Sequence, residues 1–93
     1  MTSVQLVVRN PSGLHARPAA LFVRTAGAFR AAVQVRNLTR DGAAVDAKSI
    51  LALMGTGVSA GHLIEVIADG PDEAEAIEAI REAVESGLGE AVG

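Results

Sequence analysis

One histidine and one arginine, two residues apart, are the groups in this chain best placed to do chemistry. The stretch Asn10-Pro11-Ser12-Gly13-Leu14-His15-Ala16-Arg17-Pro18-Ala19-Ala20 sets His15 just after a turn built from Asn, Pro, Ser and Gly, where a helical pattern starts. Pro18 falls in the first helical turn, where a missing N–H is harmless because that donor has no intrahelical partner. A neutral imidazole is a nucleophile. Once it carries an anionic group, the unpaired backbone N–H groups near Ala16 and Arg17 can hold that anion. Arg17 adds a fixed guanidinium that pairs with phosphate oxygens. The chemistry this suits is phosphoryl transfer, run by positioning and charge stabilisation. For an arbitrary His-x-Arg, a helix cap beside a surface arginine is the commoner explanation, so the case rests on the longer string and on its surroundings.

Those surroundings must place His15 at a helix start. Val4 to Arg9 reads as a first strand with Val4, Leu6 and Val8 on one face. A helix is expected from about Ala16 to Ala28, with Pro18, Ala19, Phe22, Val23, Ala26 and Phe29 as its core stripe. Arg17, Ala20, Leu21 and Arg24 fall on the opposite face. Ala32 to Leu38 reads as a second strand, Asp41-Gly42 as a hairpin turn, and Ala43 to Asp46 as a short returning strand. A short helix follows from Ser49 to about Met54, with Ile50, Leu53 and Met54 on one side, stopped by Gly55-Thr56-Gly57. His62 to Ala68 is the last strand, with Ile64, Val66 and Ala68 inward. Gly70-Pro71-Asp72 opens a final helix with Asp72, Glu73 and Glu75 at its positive end. Its buried stripe is Ile77, Ile80, Val84 and Leu88. The order βαββαβα predicts an α+β open-faced sandwich, a four-stranded antiparallel sheet with three helices on one face.

Size and composition set limits. At 93 residues the chain is expected to be one domain over 1–93. It has no cysteine, which removes disulfides, thiolate chemistry and zinc clusters. It has no charged, apolar start of the export type, and its longest apolar stretch, near Ile50 to Met54, is far too short to cross a bilayer. A cytoplasmic protein without a membrane partner is expected. The net charge of −3 is unevenly spread: residues 1–48 hold seven basic and two acidic groups, residues 49–93 one basic and nine acidic. That asymmetry suits steering toward an acidic protein surface. Nucleic acid is not expected as a partner, because Phe22 and Phe29 are the only aromatics and offer no stacking platform.

The string Gly13-Leu14-His15-Ala16-Arg17-Pro18-Ala19 closely resembles the active-site signature of the HPr family, the histidine-containing phosphocarriers of the bacterial phosphotransferase system. The similarity extends over nearly the whole chain, since the predicted element order is that of the HPr fold. Lys48-Ser49-Ile50-Leu51 resembles the regulatory serine segment of many Gram-positive members. The resemblance implies that His15 takes a phosphoryl group on Nδ1 from Enzyme I, itself charged by phosphoenolpyruvate, and passes it to a histidine of an EIIA-type domain in sugar uptake. It implies that Arg17 assists, that Ala20, Arg24, Leu51 and Met54 lie on the partner-docking surface, and that an HPr kinase acts on Ser49. Such a carrier is stoichiometric rather than an enzyme, needs no cofactor or metal, and is expected to be a monomer. The long hairpin Val35 to Gly42 is similar to those of HPr domains in multidomain phosphotransfer proteins and in the dihydroxyacetone-kinase system. Thr56 stands where the family usually has an apolar side chain, which touches the docking patch near Met54.

Competing readings attach to particular residues. Ser49 is fully explained as the N-cap of the short helix, and its regulatory role is additional to that. Gly55-Thr56-Gly57-Val58-Ser59-Ala60 fits a dinucleotide fingerprint in letters but follows a helix and precedes a strand, the reverse of what that site requires. His62 has no metal partner at useful spacing and reads as an exposed edge residue. Asn37-Leu38-Thr39 spells a glycosylation sequon, which matters only in an exported chain. The alternatives to a sugar-uptake carrier are a dihydroxyacetone-kinase or nitrogen-linked phosphorelay carrier, or a regulatory binding module that uses the surface around Leu51 and Met54.

Overall fold

Alternating apolar residues make the sheet. In the structure, a computed structural model that describes residues 1–90, β1 (Thr2–Val7), β2 (Ala32–Asn37), β3 (Val45–Asp46) and β4 (Leu63–Asp69) form one sheet in the order β1-β4-β2-β3. All three pairings are antiparallel. The register sets Leu6 against Ile64, Val4 against Val66 and Val33 against Ala68, so one face is apolar throughout. Helices α1 (Ala16–Gly27), α2 (Ile50–Gly55) and α3 (Glu73–Glu85) cover that face: α3 lies on β1 and β4, α1 packs on α3 and α2, and α2 sits over β3. This is the expected βαββαβα open-faced sandwich.

The elements keep their identities and shift at their ends. β1 starts two residues early, at Thr2, and stops at Val7. Val8 leaves the ladder but stays buried, its N–H donating to the His62 carbonyl at 2.9 Å. In α1, Pro18, Ala19, Phe22 and Ala26 are buried as the period demands, while Val23 and Phe29 are only partly covered. Leu21, expected outward, is half-buried against the core because the chain beyond α3 folds back over it. The returning strand is shorter than its sequence suggests: Ala43 and Ala44 are unpaired, and only Val45 and Asp46 reach Val35 and Gln34. In the turn before them it is Asp41, not Gly42, that takes the left-handed conformation, at φ +52°. Ile50 is 38% exposed rather than packed beside Leu53, because α2 is only one and a half turns long and turns a narrow face inward.

Asp72 stands at the start of α3, as expected; its backbone carbonyl accepts from the Ala76 N–H at 3.0 Å, but its side chain makes no cap bond. Its carboxylate instead accepts from the backbone N–H groups of Arg30 and Ala31, both at 2.8 Å, and so ties the α1–β2 turn to the start of α3. The Arg30 N–H, assisted by that of Ala31, holds this carboxyl below the usual aspartate value of 3.8. A depressed folded-state pKa gives stability that is complete above the unfolded value and is lost as pH falls through the folded one. We therefore expect Asp72→Ala to lower Tm at neutral pH and the deficit to shrink as pH falls below the usual aspartate range. Thermal melts across that range check this; a difference that persists undiminished in acid contradicts the assignment.

Candidate functional site

The presentation of His15 starts with the residues before it. Asn10, fully buried, ends the run out of β1, and the Gly13 N–H donates back to its carbonyl at 3.1 Å to close the turn. Gly13 sits at φ +58°, and a Cβ there would lie 2.2 Å from the Val58 carbonyl oxygen and 2.8 Å from Ser59 Cα. Only glycine fits this approach. Leu14 is then driven into the core, 1% exposed, with its N–H donating to the Val58 carbonyl at 3.1 Å. With Leu14 buried and Gly13 pinned, the next residue must point out. His15 is exposed in extended conformation (φ −126°, ψ 152°) at the N-cap of α1, and its side chain makes no capping bond.

That leaves the first N–H groups of α1 aimed past an imidazole that does not use them. Ala16, the first helical residue, takes φ +46°, a conformation that costs a non-glycine residue about 1–3 kcal/mol. Arg17 is exposed beside His15 and Pro18 is buried, so the guanidinium and the imidazole share the solvent-facing end of the helix. No acidic residue lies in the first turn of α1, so its positive end is not neutralised from within.

The other expected site residues fall around this point. Arg17, Ala20 and Arg24 line one shallow cleft together with Leu21, Leu88 and Gly89. Leu51 projects from the neighbouring α2 at 80% exposure, while Met54 is half-buried against the core. Ser49 caps α2, its Oγ accepting from the Ala52 N–H at 3.2 Å. Thr56, an intrusion in an apolar position by sequence, turns its hydroxyl to the Leu53 carbonyl at 2.6 Å, so it brings no free polar group to the patch. His62 is not an exposed edge residue. It is half-buried, and its Nδ1 accepts from the Ser59 N–H at 3.1 Å, with the Asn37 amide nitrogen at 3.3 Å. Of the two histidines, His15 alone has its ring nitrogens free among the described residues.

One member of the site is not read from the sequence. Glu90 reaches back to the turn and accepts from Asn10 Nδ2 (3.0 Å), the Ser12 N–H (3.0 Å) and the Ser12 hydroxyl (2.8 Å). Asn10 Nδ2 also donates to the Gly13 carbonyl at 3.0 Å, whereas its Oδ1 is buried without a partner. The Asn10 amide, followed by the Ser12 N–H and hydroxyl, holds the Glu90 carboxyl below its usual 4.5. Only the Asn10 side of this could have been suspected locally, since Asn favours turns. Among the described residues no group of three or more His, Asp or Glu side chains could hold a metal ion, and no helix is long and apolar enough to cross a membrane.

Comparison with known proteins agrees with this geometry. The family model described as the phosphotransferase-system HPr component phosphorylation site matches residues 2–86. The chain belongs to the HPr family. It is 41% identical over 85 residues to a multiphosphoryl transfer protein of Haemophilus influenzae, covering 91% of this chain and 17% of that protein. It thus spans about a fifth of the length of such multiphosphoryl relatives. It is 47% identical over 78 residues to the HPr-like protein Crh of Bacillus subtilis, covering 84% of this chain and 88% of that one. Among solved structures, an HPr from Thermoanaerobacter tengcongensis matches 99% of this chain and 100% of its own, with a TM-score of 0.92 at 44% identity. HPr proteins are phosphocarriers of the phosphotransferase system, carriers rather than catalysts in their own right.

The turn geometry makes a sharp demand. Gly13→Ala combines a left-handed backbone with a collision against Val58, and we expect it to cost about 2–4 kcal/mol of stability. Denaturant unfolding measures this; near-parental stability would show that the turn is not pinned to Val58.

Proposed function

We propose that this HPr-family chain carries a phosphoryl group on His15 Nδ1, taking it from phospho-Enzyme I and passing it to an EIIA-type domain in sugar uptake. The observation that carries this reading is an exposed, uncapped imidazole at the N-terminus of α1, beside Arg17 and over unclaimed backbone N–H groups. In the charging step the Nδ1 lone pair of neutral His15 attacks phosphorus as the phosphorus bond to the donor breaks, and the donor's leaving group takes up a proton from solvent, balanced by loss of the Nε2 proton of phosphorylated His15 to solvent. Delivery is the same exchange with the roles reversed. Charge on the transferring group meets the α1 N–H dipoles, which are fixed by the helix, and the guanidinium of the exposed Arg17, which turns onto it. The exposed Leu51, the half-buried Met54, and Ala20 and Arg24 of α1 form the surface that meets both partners. The carrier works as a monomer in the cytoplasm, where its partners are.

Purified Enzyme I, phosphoenolpyruvate and this protein are the ingredients of the test. His15→Ala abolishes the acid-labile phosphoryl adduct, whereas Arg17→Ala slows charging roughly tenfold or more with the fold unchanged. A His15→Ala protein that still charges, or an Arg17→Ala protein that charges at the parental rate, contradicts the assigned roles.

Ser49 adds a second layer. A phosphate there introduces nearly two negative charges next to Ile50 and Leu51, at the edge of the docking surface. We expect an HPr kinase with ATP to modify Ser49, and Ser49→Asp to be charged more slowly by Enzyme I than Ser49→Ala. The alanine variant loses the α2 cap and about 1 kcal/mol of stability. Mass spectrometry that finds Ser49 unmodified, under conditions that modify another HPr, contradicts the regulatory role.

A further inference from the structure

The chain beyond α3 is built to return to the phosphorylation turn. α3 closes with the Leu88 N–H donating to the Ala83 carbonyl (3.0 Å) and the Gly87 N–H to the Val84 carbonyl (3.1 Å), the pair of bonds that reverses a chain at a helix end. Gly87, Leu88 and Gly89 then take three left-handed conformations in succession, at φ +94°, +50° and +84°. Leu88 is fully buried despite its strained backbone, so its side chain fixes the course of the tail. The next residue but one is Glu90, whose two carboxylate oxygens accept three hydrogen bonds, one from the Asn10 amide and two from Ser12.

We propose that Glu90 is a positioning residue for phosphoryl transfer: its side chain straps the Asn10–Gly13 turn into the conformation that presents His15 at the start of α1. The proposal deepens the carrier reading and rests on it. Asn10 shows how closely the turn depends on the strap. Its two side-chain amide hydrogens go to the Gly13 carbonyl and to Glu90, and its side-chain Oδ1 is buried and unpaired. Without Glu90 the Asn10 amide keeps only its bond to the Gly13 carbonyl, the Ser12 N–H loses its acceptor, and the turn is held at fewer points. Gly13, Leu14 and His15 follow without a break, so that loss of restraint reaches the nucleophile. Ser12 is exposed, and Glu90 is the one side chain among the described residues that accepts from its N–H.

Two variants separate the strap from its charge. In Glu90→Gln the amide oxygen accepts from Asn10 and the Ser12 N–H, and the amide nitrogen donates to the Ser12 hydroxyl, so all three contacts survive. Glu90→Ala loses them. Charging is measured with two donors, phospho-Enzyme I and phosphoramidate, a small chemical donor that needs no docking surface. We expect Glu90→Ala to charge His15 about tenfold more slowly with either donor, Glu90→Gln to stay within about twofold of the parent, and the Ser12 amide resonance to shift in the alanine variant alone. A Glu90→Ala protein that charges at the parental rate overturns the proposal, as does a Glu90→Gln protein that falls as far as Glu90→Ala. Parent protein charged by phosphoramidate but not by Enzyme I overturns the carrier reading, while the comparison of variants still decides the role of Glu90. Parent protein charged by neither donor overturns both.

Discussion

The contact between Gly13-Leu14 and the carbonyl of Val58 is the constraint from which the site follows. On the carrier reading proposed above, His15 has to be exposed to two different proteins, yet an exposed side chain on a loop is ordinarily free to wander. Here the residue before His15 is buried completely and bonded to the loop between α2 and β4, and the residue before that has no space for a side chain. His15 is thus exposed at a fixed address. The left-handed Ala16 belongs to the same arrangement, since a helix that starts immediately after a buried, pinned residue has little freedom in its first turn.

The elements that carry this arrangement were largely legible in the sequence because their signals are local. The α1 stripe from Pro18 to Ala26 needs only helical periodicity, and the inward residues of β4 need only alternation. What escaped is what depends on residues far apart in the chain. Asp72 reads in sequence as a charge at the positive end of α3, and nothing local tells that its carboxylate also binds the α1–β2 turn some forty residues earlier. His62 looks like a lone edge histidine until Ser59 and Asn37 close on its ring. The Ala43–Asp46 segment alternates like a strand, yet the chain is tied back to Asn37 at Gly42 and rejoins the ladder only at Val45, which alternation alone does not show.

Glu90 combines these lessons with the uneven charge of the chain. Read in order, the sequence has a basic half and an acidic half, and the acidic half looks like solvated helix surface. Folding interleaves them. Two carboxylates from the acidic half, Asp72 and Glu90, end on backbone N–H groups of the basic half, one at each end of α1. The remaining positive charge at Arg17 and Arg24 stays exposed on the cleft-lined face of that helix. This face of α1 is therefore more positive than the net charge suggests, and on the proposed reading that favours encounter with acidic docking faces.

The central claim, that His15 Nδ1 is the atom that takes the phosphoryl group, is most directly tested by NMR of histidine ring nitrogens during charging by Enzyme I and phosphoenolpyruvate. The account predicts a phosphorus-coupled Nδ1 signal from His15, with the His62 ring signals unmoved because its Nδ1 already accepts from Ser59. A phosphorus-coupled signal from His62, or charging without any change at His15, would contradict it.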